Sequence, residues 1–161
     1  MTHEEDSTFL HPMSETEKIS IDLEVEEIYN DNWFEPAKRG KWMLFYPRNL
    51  MDKKWQEAVK LYKNKELTGI QSIKCSTAAV NERAGDRTNG AIRFACGPYD
   101  DSEAVQSYGR NVVEKMNYTS PFGFIAYKTD EQSAIGTRAT GARKNYYYRI
   151  PVATSDGYMQ Q

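Results

Sequence analysis

Basic and aromatic side chains are interleaved near the C-terminal end of the sequence, a combination that could bind nucleic acid. The members of this run are Arg138, Arg143, Lys144, Arg149 and the tyrosines Tyr146, Tyr147 and Tyr148. Cationic side chains attract the phosphates of a single strand, and aromatic rings stack on its bases. Alternation along a strand would place Tyr146 and Tyr148 on one face and Tyr147 on the other, so we expect part of the run to lie in the core.

Two further groups of residues have the chemistry of a nucleotide or phosphate site. Arg83 and Arg87 flank Gly85 in a polar loop, and loop bases beside a glycine are good phosphate ligands. Trp33 lies in a polar run, where it is either an exposed stacking platform or a plug that closes one edge of a sheet.

The residue types that usually carry catalysis or bind metals are few and badly spaced. Both histidines, His3 and His11, fall in an N-terminal segment without periodicity, and the two cysteines lack metal-ligand spacing. There is neither a phosphate-binding glycine loop followed by Lys-Ser/Thr nor a nucleophile elbow. Asp100 and Asp101 stand at a predicted helix start, where carboxylates cap the helix. We therefore predict no enzyme activity, no metal site and no cofactor.

Cysteine usage and hydropathy indicate the compartment. Cys75 and Cys96 both lie in apolar stretches, which is typical of buried, reduced thiols, although a disulfide between them remains an alternative. No apolar run is long enough to cross a bilayer, and the N-terminus lacks the apolar core of a signal peptide. We expect a soluble protein of the cytoplasm, with the nucleus as the alternative.

Charge is distributed unevenly along the chain, although the net charge is only −2. Residues 1–35 hold eleven of the 23 acidic residues and one of the 21 basic residues, so this segment carries −10 and the remainder carries +8. A basic body attracts phosphates. The acidic segment either shields that body in cis or simply keeps the chain in solution.

At 161 residues the chain has the length of one domain. We predict a disordered acidic leader over residues 1–13, one domain over 14–153 and a frayed tail over 154–161. The start of the domain carries two conflicting signals. Ser14-Glu15-Thr16-Glu17 matches a capping box, whereas residues 19–25 alternate at period two, and we favour the helix.

The remaining elements follow from periodicity and turn residues. Strands are predicted at residues 40–46, 70–77, 91–96, 122–128 and 146–152, with a glycine-bearing loop at 129–145. Helices are predicted at 51–67 and from Asp101 or Ser102 onwards. Trp42 and Trp55 fall on a strand and on an apolar helical face, where core packing is favoured over ligand contact. The expected fold class is α+β, with a mainly antiparallel sheet and helices packed on one face.

A set of short motifs, taken in order from Trp33 to Ile150, resembles the messenger-RNA cap-binding initiation factor 4E. These motifs are Lys38-Arg39-Gly40-Lys41-Trp42, Trp55, Val80-Asn81-Glu82-Arg83-Ala84-Gly85-Asp86, Ala91-Ile92-Arg93-Phe94, Glu103-Ala104-Val105, and Arg143-Lys144-Asn145 after Tyr127. Residues 40–45, Trp55 and 127–130 are similar to the Bles-type (basophilic-leukemia-expressed) proteins, a little-characterised family with the same fold. The resemblance implies a curved, mainly antiparallel 4E-like sheet.

The resemblance also implies a binding site. In 4E proteins two tryptophans stack on a methylated guanine, a carboxylate bonds the edge of the base, and basic side chains bind the phosphates. The matching positions are Trp33 for a stacking tryptophan, Glu35 for the carboxylate, Arg83 and Arg87 for phosphate-binding residues, and Arg138 or Lys144 for a basic residue of the late loop. Cation–π stacking suits a positively charged base, and Arg and Lys suit phosphates.

Two parts of the 4E pattern have no recognisable counterpart in the acidic segment: the strand with the other stacking tryptophan, and the dorsal helix that receives regulatory partners. A second stacking ring would have to come from Tyr29, Phe34 or Tyr46. We predict non-enzymatic binding of RNA, a nucleotide or a cap-like ligand. The alternative is a protein-interaction module of the same fold that has lost ligand binding. The expected partners are thus RNA or a nucleotide, or a protein, and neither a membrane nor a metal.

Overall fold

The structure of the chain is a computed structural model that describes residue 12 and residues 19–22, 34–76, 89–135 and 146–154. Residues 19–22 and 133–135 are described by their backbone alone. The predicted leader and tail lie outside these ranges except for Pro12 and Thr154, so the predicted domain limits stay predictions.

Six strands form one antiparallel sheet in the described part of the chain, in the order β1-β3-β4-β2-β5-β6. The strands are β1 Ile19–Asp22, β2 Gly40–Pro47, β3 Ser72–Cys75, β4 Asn89–Cys96, β5 Phe124–Thr129 and β6 Tyr148–Pro151. Every named pair is antiparallel, and β2 lies in the interior between β4 and β5. The predicted antiparallel sheet is confirmed, with strand ends shifted by up to two residues.

The helix predicted near the start of the domain is wrong at residues 19–22, the part of it that the structure describes. Ile19 lies opposite Cys75 and Ile21 opposite Ile73, so this segment pairs with β3 as strand β1. The period-two alternation was therefore the better signal. A capping box stabilises only the first turn of a helix, whereas strand pairing satisfies backbone hydrogen bonds along the whole segment.

Three α-helices accompany the sheet in the described residues: α1 Met51–Lys63, α2 Ser102–Met116 and α3 Asp130–Ile135. The Asp101 carboxylate accepts a hydrogen bond from the Ala104 N–H at 3.2 Å, so Asp101 rather than Ser102 caps α2. Short 3-10 turns precede β2 and α1, at Pro36–Lys38 and Arg48–Leu50.

Helix α3 lies where a loop was predicted. Thr129 Oγ1 accepts a hydrogen bond from the Gln132 N–H at 3.0 Å, and Gln132 Oε1 accepts one from the Thr129 N–H at 2.9 Å. This reciprocal pair is a capping box, and its spacing is visible in the sequence. The glycines that follow residue 135 favoured the prediction of a loop, although the capping box indicates a short helix.

The core lies between the sheet and helices α1 and α2, and both predicted core tryptophans are fully buried. Trp42 Nε1 donates a hydrogen bond to the Val105 carbonyl of α2 at 2.9 Å. A Cβ on Gly109 would lie 2.5 Å from the Trp42 ring, so α2 approaches β2 too closely for any larger residue. This contact places α2 on the face of the sheet that carries Trp42.

Cys75 and Cys96 are free thiols and buried, as predicted, and they form no disulfide. Burial raises the pKa of the Cys75 thiol to about 12, and it also raises the pKa of the Cys96 thiol. Both groups are therefore held as neutral thiols near neutral pH. No helix among the described residues is long and apolar enough to span a membrane.

Candidate ligand-binding face of the sheet

Side chains of β2 alternate between the two faces of the sheet. Trp42, Leu44 and Tyr46 are buried under the helices, whereas Lys41 and Met43 are half-buried and Phe45 is exposed. Helix α1 covers the same face as α2, because a Cβ on Gly90, the residue opposite Tyr46, would lie 3.0 Å from the Met51 side chain. The other face carries neither α1 nor α2, and we call it the open face.

The open face is defined by the residues that alternate with the core positions and by their cross-strand partners. On β2 to β6 its members include Lys41, Met43, Phe45, Lys74, Arg93, Ala95, Phe124, Ala126, Lys128 and Arg149. Five of these ten residues are cationic, and the register of β1 also places the acidic residue Asp22 on this face, opposite Ser72. The open face therefore combines positive charge with a few apolar groups.

One row of directly opposed residues crosses the open face from β3 to β6. Its members, in order, are Lys74, Arg93, Met43, Ala126 and Arg149. Neighbouring strands are about 4.8 Å apart, so the four intervals of this row span roughly 19 Å. Cations stand at both ends of the row, and small or flexible apolar side chains fill the middle.

Two pairs of cations are direct cross-strand neighbours. Lys74 lies opposite Arg93, and Lys41 lies opposite Lys128. Like charges in directly opposed positions are normally destabilising, because the Cβ atoms are only about 5 Å apart. A sheet face that keeps two such pairs is suited to an anion that would relieve the repulsion.

The electrostatics of Lys41 reflect this crowding. Burial lowers the pKa of the Lys41 ammonium below its ordinary value of 10.5, and the negative charge of Asp130 opposes that shift. The positive charges of Arg93 and Lys74 lower the pKa of Lys41 further. Asp130 itself lies at the edge of the cluster, 3.6 Å from Lys41 Nζ and 2.9 Å from Arg39 Nε. Lys41 is thus a half-buried cation whose charged form Asp130 supports against burial and against two neighbouring cations.

Arg93 is the second half-buried cation of the open face. Burial also lowers the pKa of its guanidinium, although an arginine stays protonated at any physiological pH. A guanidinium presents N–H donors in a planar fork that matches the oxygens of a phosphate. Arg93, at the centre of β4, is therefore placed to bind an anion that settles on the face.

The apolar part of the open face includes exposed aromatic rings. Phe45 exposes 37% of its surface, and the turn residue Phe122, whose ring centre is 6.4 Å from that of Phe124, exposes 60%. The Arg149 guanidinium lies 4.6 Å from the centre of the Phe124 ring and 5.2 Å from that of Tyr146. Cations and rings are thus interleaved here, and Arg149 and Tyr146 of the late run take part together with Phe124 of β5.

The late run itself is only partly described. Tyr148 packs against the core, and its hydroxyl donates to the Tyr99 carbonyl at 2.6 Å. Tyr146 does not share a face with Tyr148 as predicted. It contacts Arg149 instead, because β6 begins only at Tyr148 and the strand alternation does not extend back to Tyr146. Tyr147 is exposed, so only part of the run is core, as expected.

Of the residues that the 4E resemblance selected, only Glu35 is described. It is exposed and precedes the 3-10 turn before β2, where its carbonyl accepts a hydrogen bond from the Lys38 N–H at 2.8 Å. The other selected residues lie outside the described ranges and stay predictions: Trp33, Arg83, Arg87, Arg138 and Lys144.

Two of the three candidates for a second stacking ring are excluded by burial. Phe34 exposes only 8% of its surface and Tyr46 only 6%, so neither ring offers a face to a ligand. Phe34 packs near Gly97, where an added Cβ would lie 2.7 Å from its ring. Tyr29 lies outside the described residues.

Apart from Arg149, the cations of the open face were not among the predicted site residues, although the sequence carries a signal for three of them. Lys41, Arg93 and Lys128 each stand next to a buried aromatic residue within a strand. Alternation at period two therefore assigns them to the face opposite the core. In the described part of the chain, no three His, Cys, Asp or Glu side chains are grouped to hold a metal ion.

No protein-family model and no curated protein matches this sequence. Among solved structures, the chain is similar to the crystal structure of schistosome eIF4E complexed with m7GpppA and 4E-BP, with a TM-score of 0.54. The two sequences are 16% identical over 74% of this chain, which spans 63% of the length of that eIF4E chain. At this identity the similarity shows the fold alone, and it confirms the expected 4E-like α+β fold.

Proposed function

We propose that this 4E-like domain binds RNA, a nucleotide or a cap-like ligand through the open face of its sheet, without catalysing a reaction. The observation that carries the proposal is the presence of two directly opposed cation pairs, Lys74 with Arg93 and Lys41 with Lys128. The anionic groups of RNA and of nucleotides are phosphates, so phosphate is the anion that we expect this face to bind.

The residues selected by the 4E resemblance belong to the same proposal. The schistosome eIF4E in the similar structure is complexed with m7GpppA. By analogy, Trp33 would stack on a base and Glu35 would bond its edge. Arg83, Arg87, Arg138 and Lys144 would add phosphate contacts to those of the open face.

The test is a binding titration of a short single-stranded RNA, m7GpppA and GTP, each at two salt concentrations. Arg93→Gln and Lys74→Gln remove one charge each from the open face, and Lys60→Gln removes one from the exposed side of α1. We expect the first two variants to weaken binding several-fold and the third to leave it unchanged. Phosphate contacts also release counterions, so affinity should fall as salt rises, with a smaller slope in the two face variants.

If all three variants bind the probes with equal affinity, the ligand does not bind at the open face. Saturable binding of m7GpppA but not GTP would identify a cap-like ligand. Binding of RNA alone would identify a single strand, and no binding of any probe would contradict the proposal as a whole.

A protein-interaction module is the second candidate function. The eIF4E of the similar structure is complexed with 4E-BP as well as with a nucleotide, so this fold is compatible with a protein partner. Under this alternative, deletion of residues 1–13 or changes in exposed sheet residues would abolish capture of a protein partner. The affinity for all three nucleotide probes would stay unmeasurable.

We make three narrower proposals, which concern the family, the compartment and the distribution of charge. The similarity of residues 40–45, Trp55 and 127–130 to the Bles-type proteins suggests membership of that family. We also propose that the protein acts in the cytoplasm, with the nucleus as the alternative. Finally, the basic body and the acidic segment over residues 1–35 are expected to influence how strongly anions are attracted.

A further inference from the structure

We infer that the ligand of the open face is a single-stranded RNA whose bases stack on an aromatic platform formed by Phe45, Phe122 and Phe124. This inference rests on the proposed function, because the cations of the same face would hold the phosphates. It adds the class of ligand and the residues that contact the bases.

The three rings lie at one end of the open face. Phe45 follows Met43 by two residues in β2, and Phe124 precedes Ala126 by two residues in the antiparallel strand β5. Because Met43 and Ala126 are direct partners, both phenylalanines lie on the same side of that row. The ring centre of Phe122 is 6.4 Å from that of Phe124, so Phe122 extends the platform beyond the end of β5.

The backbone that carries Phe45 is held in place at the point where β2 and β5 separate. The Tyr118 hydroxyl accepts a hydrogen bond from the Phe45 N–H and donates one to the Phe45 carbonyl, both at 3.1 Å. These bonds replace the strand pairing that ends at Met43. The Phe45 ring is therefore exposed on a fixed backbone rather than on a loose strand end.

Exposed rings of this size are uncommon on the described surface. Only four large hydrophobic side chains are exposed there, and two of them, Phe45 and Phe122, belong to the platform. Two such rings beside a cationic face match the surface that binds single-stranded nucleic acid by stacking and charge.

Arg149 links the platform to the cations. Its guanidinium lies over the Phe124 ring at 4.6 Å, while Arg149 also ends the row that begins at Lys74. A cation in this position can contact the phosphate next to a stacked base, because base and phosphate are joined through one sugar. The arrangement therefore suits a nucleotide chain better than an isolated anion.

The distances favour a chain of several nucleotides. Lys41 and Phe45 are four residues apart in one strand, which corresponds to roughly 14 Å. Successive nucleotides of one strand can place a phosphate at Lys41 and a base on Phe45 over that span. A duplex keeps its bases stacked inside the helix, so its rings are unavailable to the platform.

The experiment compares a short oligoadenylate with an abasic ribose-phosphate strand of the same length, by fluorescence anisotropy. The variants are Phe45→Ala and Phe122→Ala, with Leu50→Ala as the control, because Leu50 is equally exposed but lies before α1 and off the open face. We expect each phenylalanine variant to weaken oligoadenylate binding by roughly 5- to 150-fold, the usual effect of removing a stacking ring. Binding of the abasic strand should not change.

A rescue separates stacking from general apolar contact. Phe45→Trp keeps an aromatic face and should retain oligoadenylate affinity, whereas Phe45→Leu keeps an apolar side chain and should not. If both phenylalanine variants bind oligoadenylate as the wild type does, the platform is overturned while the phosphate-binding function stands. If the wild-type protein binds neither strand, the platform is overturned, and the proposed function fails as well when m7GpppA and GTP also do not bind. Circular dichroism melting of each variant shows whether a loss of affinity comes from unfolding.

Discussion

At the scale of single residues, Lys41 shows how burial, neighbouring cations and a carboxylate together act on one charge of the open face. It is half-buried, lies opposite Lys128, and contacts Asp130 at 3.6 Å. Burial and the neighbouring cations favour its neutral form, whereas Asp130 favours its charged form. A bound phosphate would add a second negative charge and would therefore stabilise the protonated ammonium.

This balance predicts how binding depends on pH. Because the folded-state pKa of Lys41 is lowered, its charge is lost as pH rises through a value below 10.5, and affinity for oligoadenylate should fall in that window. The Lys41→Arg protein keeps this charge throughout, so its affinity for oligoadenylate should begin to fall only at a higher pH. Anisotropy titrations of both proteins across that range test this prediction. Superimposable pH profiles would show that Lys41 does not contact the ligand.

Gly109 gives a residue-scale prediction about stability. An alanine Cβ would lie 2.5 Å from the buried Trp42 ring, which is held by its hydrogen bond to the Val105 carbonyl. Overpacking of this kind costs about 1–3 kcal/mol, which should outweigh the ~1 kcal/mol that alanine contributes over glycine in a helix. Gly109→Ala should therefore unfold at lower urea concentration than the wild type. The exposed neighbour Arg110→Ala serves as the control, and a Gly109→Ala protein as stable as that control would contradict the packing.

At the scale of elements, the sequence predicted five of the six described strands and both long helices, because each has a regular pattern of buried residues. Helix α1 ends at Lys63, earlier than the predicted residue 67. Trp42 and Trp55 identified the buried faces of β2 and α1. The errors occurred where two local signals disagreed or one was overlooked. The capping box at residues 14–17 was preferred to the alternation that forms β1, whereas the capping box from Thr129 to Gln132 was missed.

The candidate site was harder to predict than the fold. Glu35, Trp33 and the loop arginines were selected by resemblance, while the cations of the open face required knowledge of which strands are neighbours. Lys74 and Arg93 are 19 positions apart in sequence and become partners only through the register of β3 with β4. Alternation at period two assigns each residue to a face of the sheet, but it does not identify the cross-strand partners on that face.

The cap of α2 provides the prediction at this scale. Asp101 accepts the Ala104 N–H, whereas its neighbour Asp100 forms an exposed ion pair with Lys38 at 2.8 Å. Loss of an N-cap costs about 1 kcal/mol, whereas an ion pair exposed to water contributes little to stability. Asp101→Ala should therefore lower the free energy of unfolding more than Asp100→Ala does. Chemical denaturation measures the free energy of unfolding of both variants. A larger loss in Asp100→Ala than in Asp101→Ala would place the cap at another residue.

At the scale of the whole molecule, the sheet separates two surfaces of different character. One face is covered by α1 and α2 and holds the core, and the other presents cations and aromatic rings. The uneven distribution of charge along the chain matches this division, since the basic residues of the open face all lie in the +8 remainder beyond residue 35. A ligand should therefore affect one face of the protein and leave the other unchanged.

The methionines report on the two faces separately, and the most direct measurement uses them. Met43 lies at the centre of the open face, whereas Met51 and Met116 are buried on the helix side. In a protein with ¹³C-labelled methionine methyl groups, each assigned by a Met→Leu variant, oligoadenylate should shift the Met43 signal and leave those of Met51 and Met116 in place. A saturable titration that moves Met51 or Met116 while Met43 stays unchanged would contradict binding at the open face.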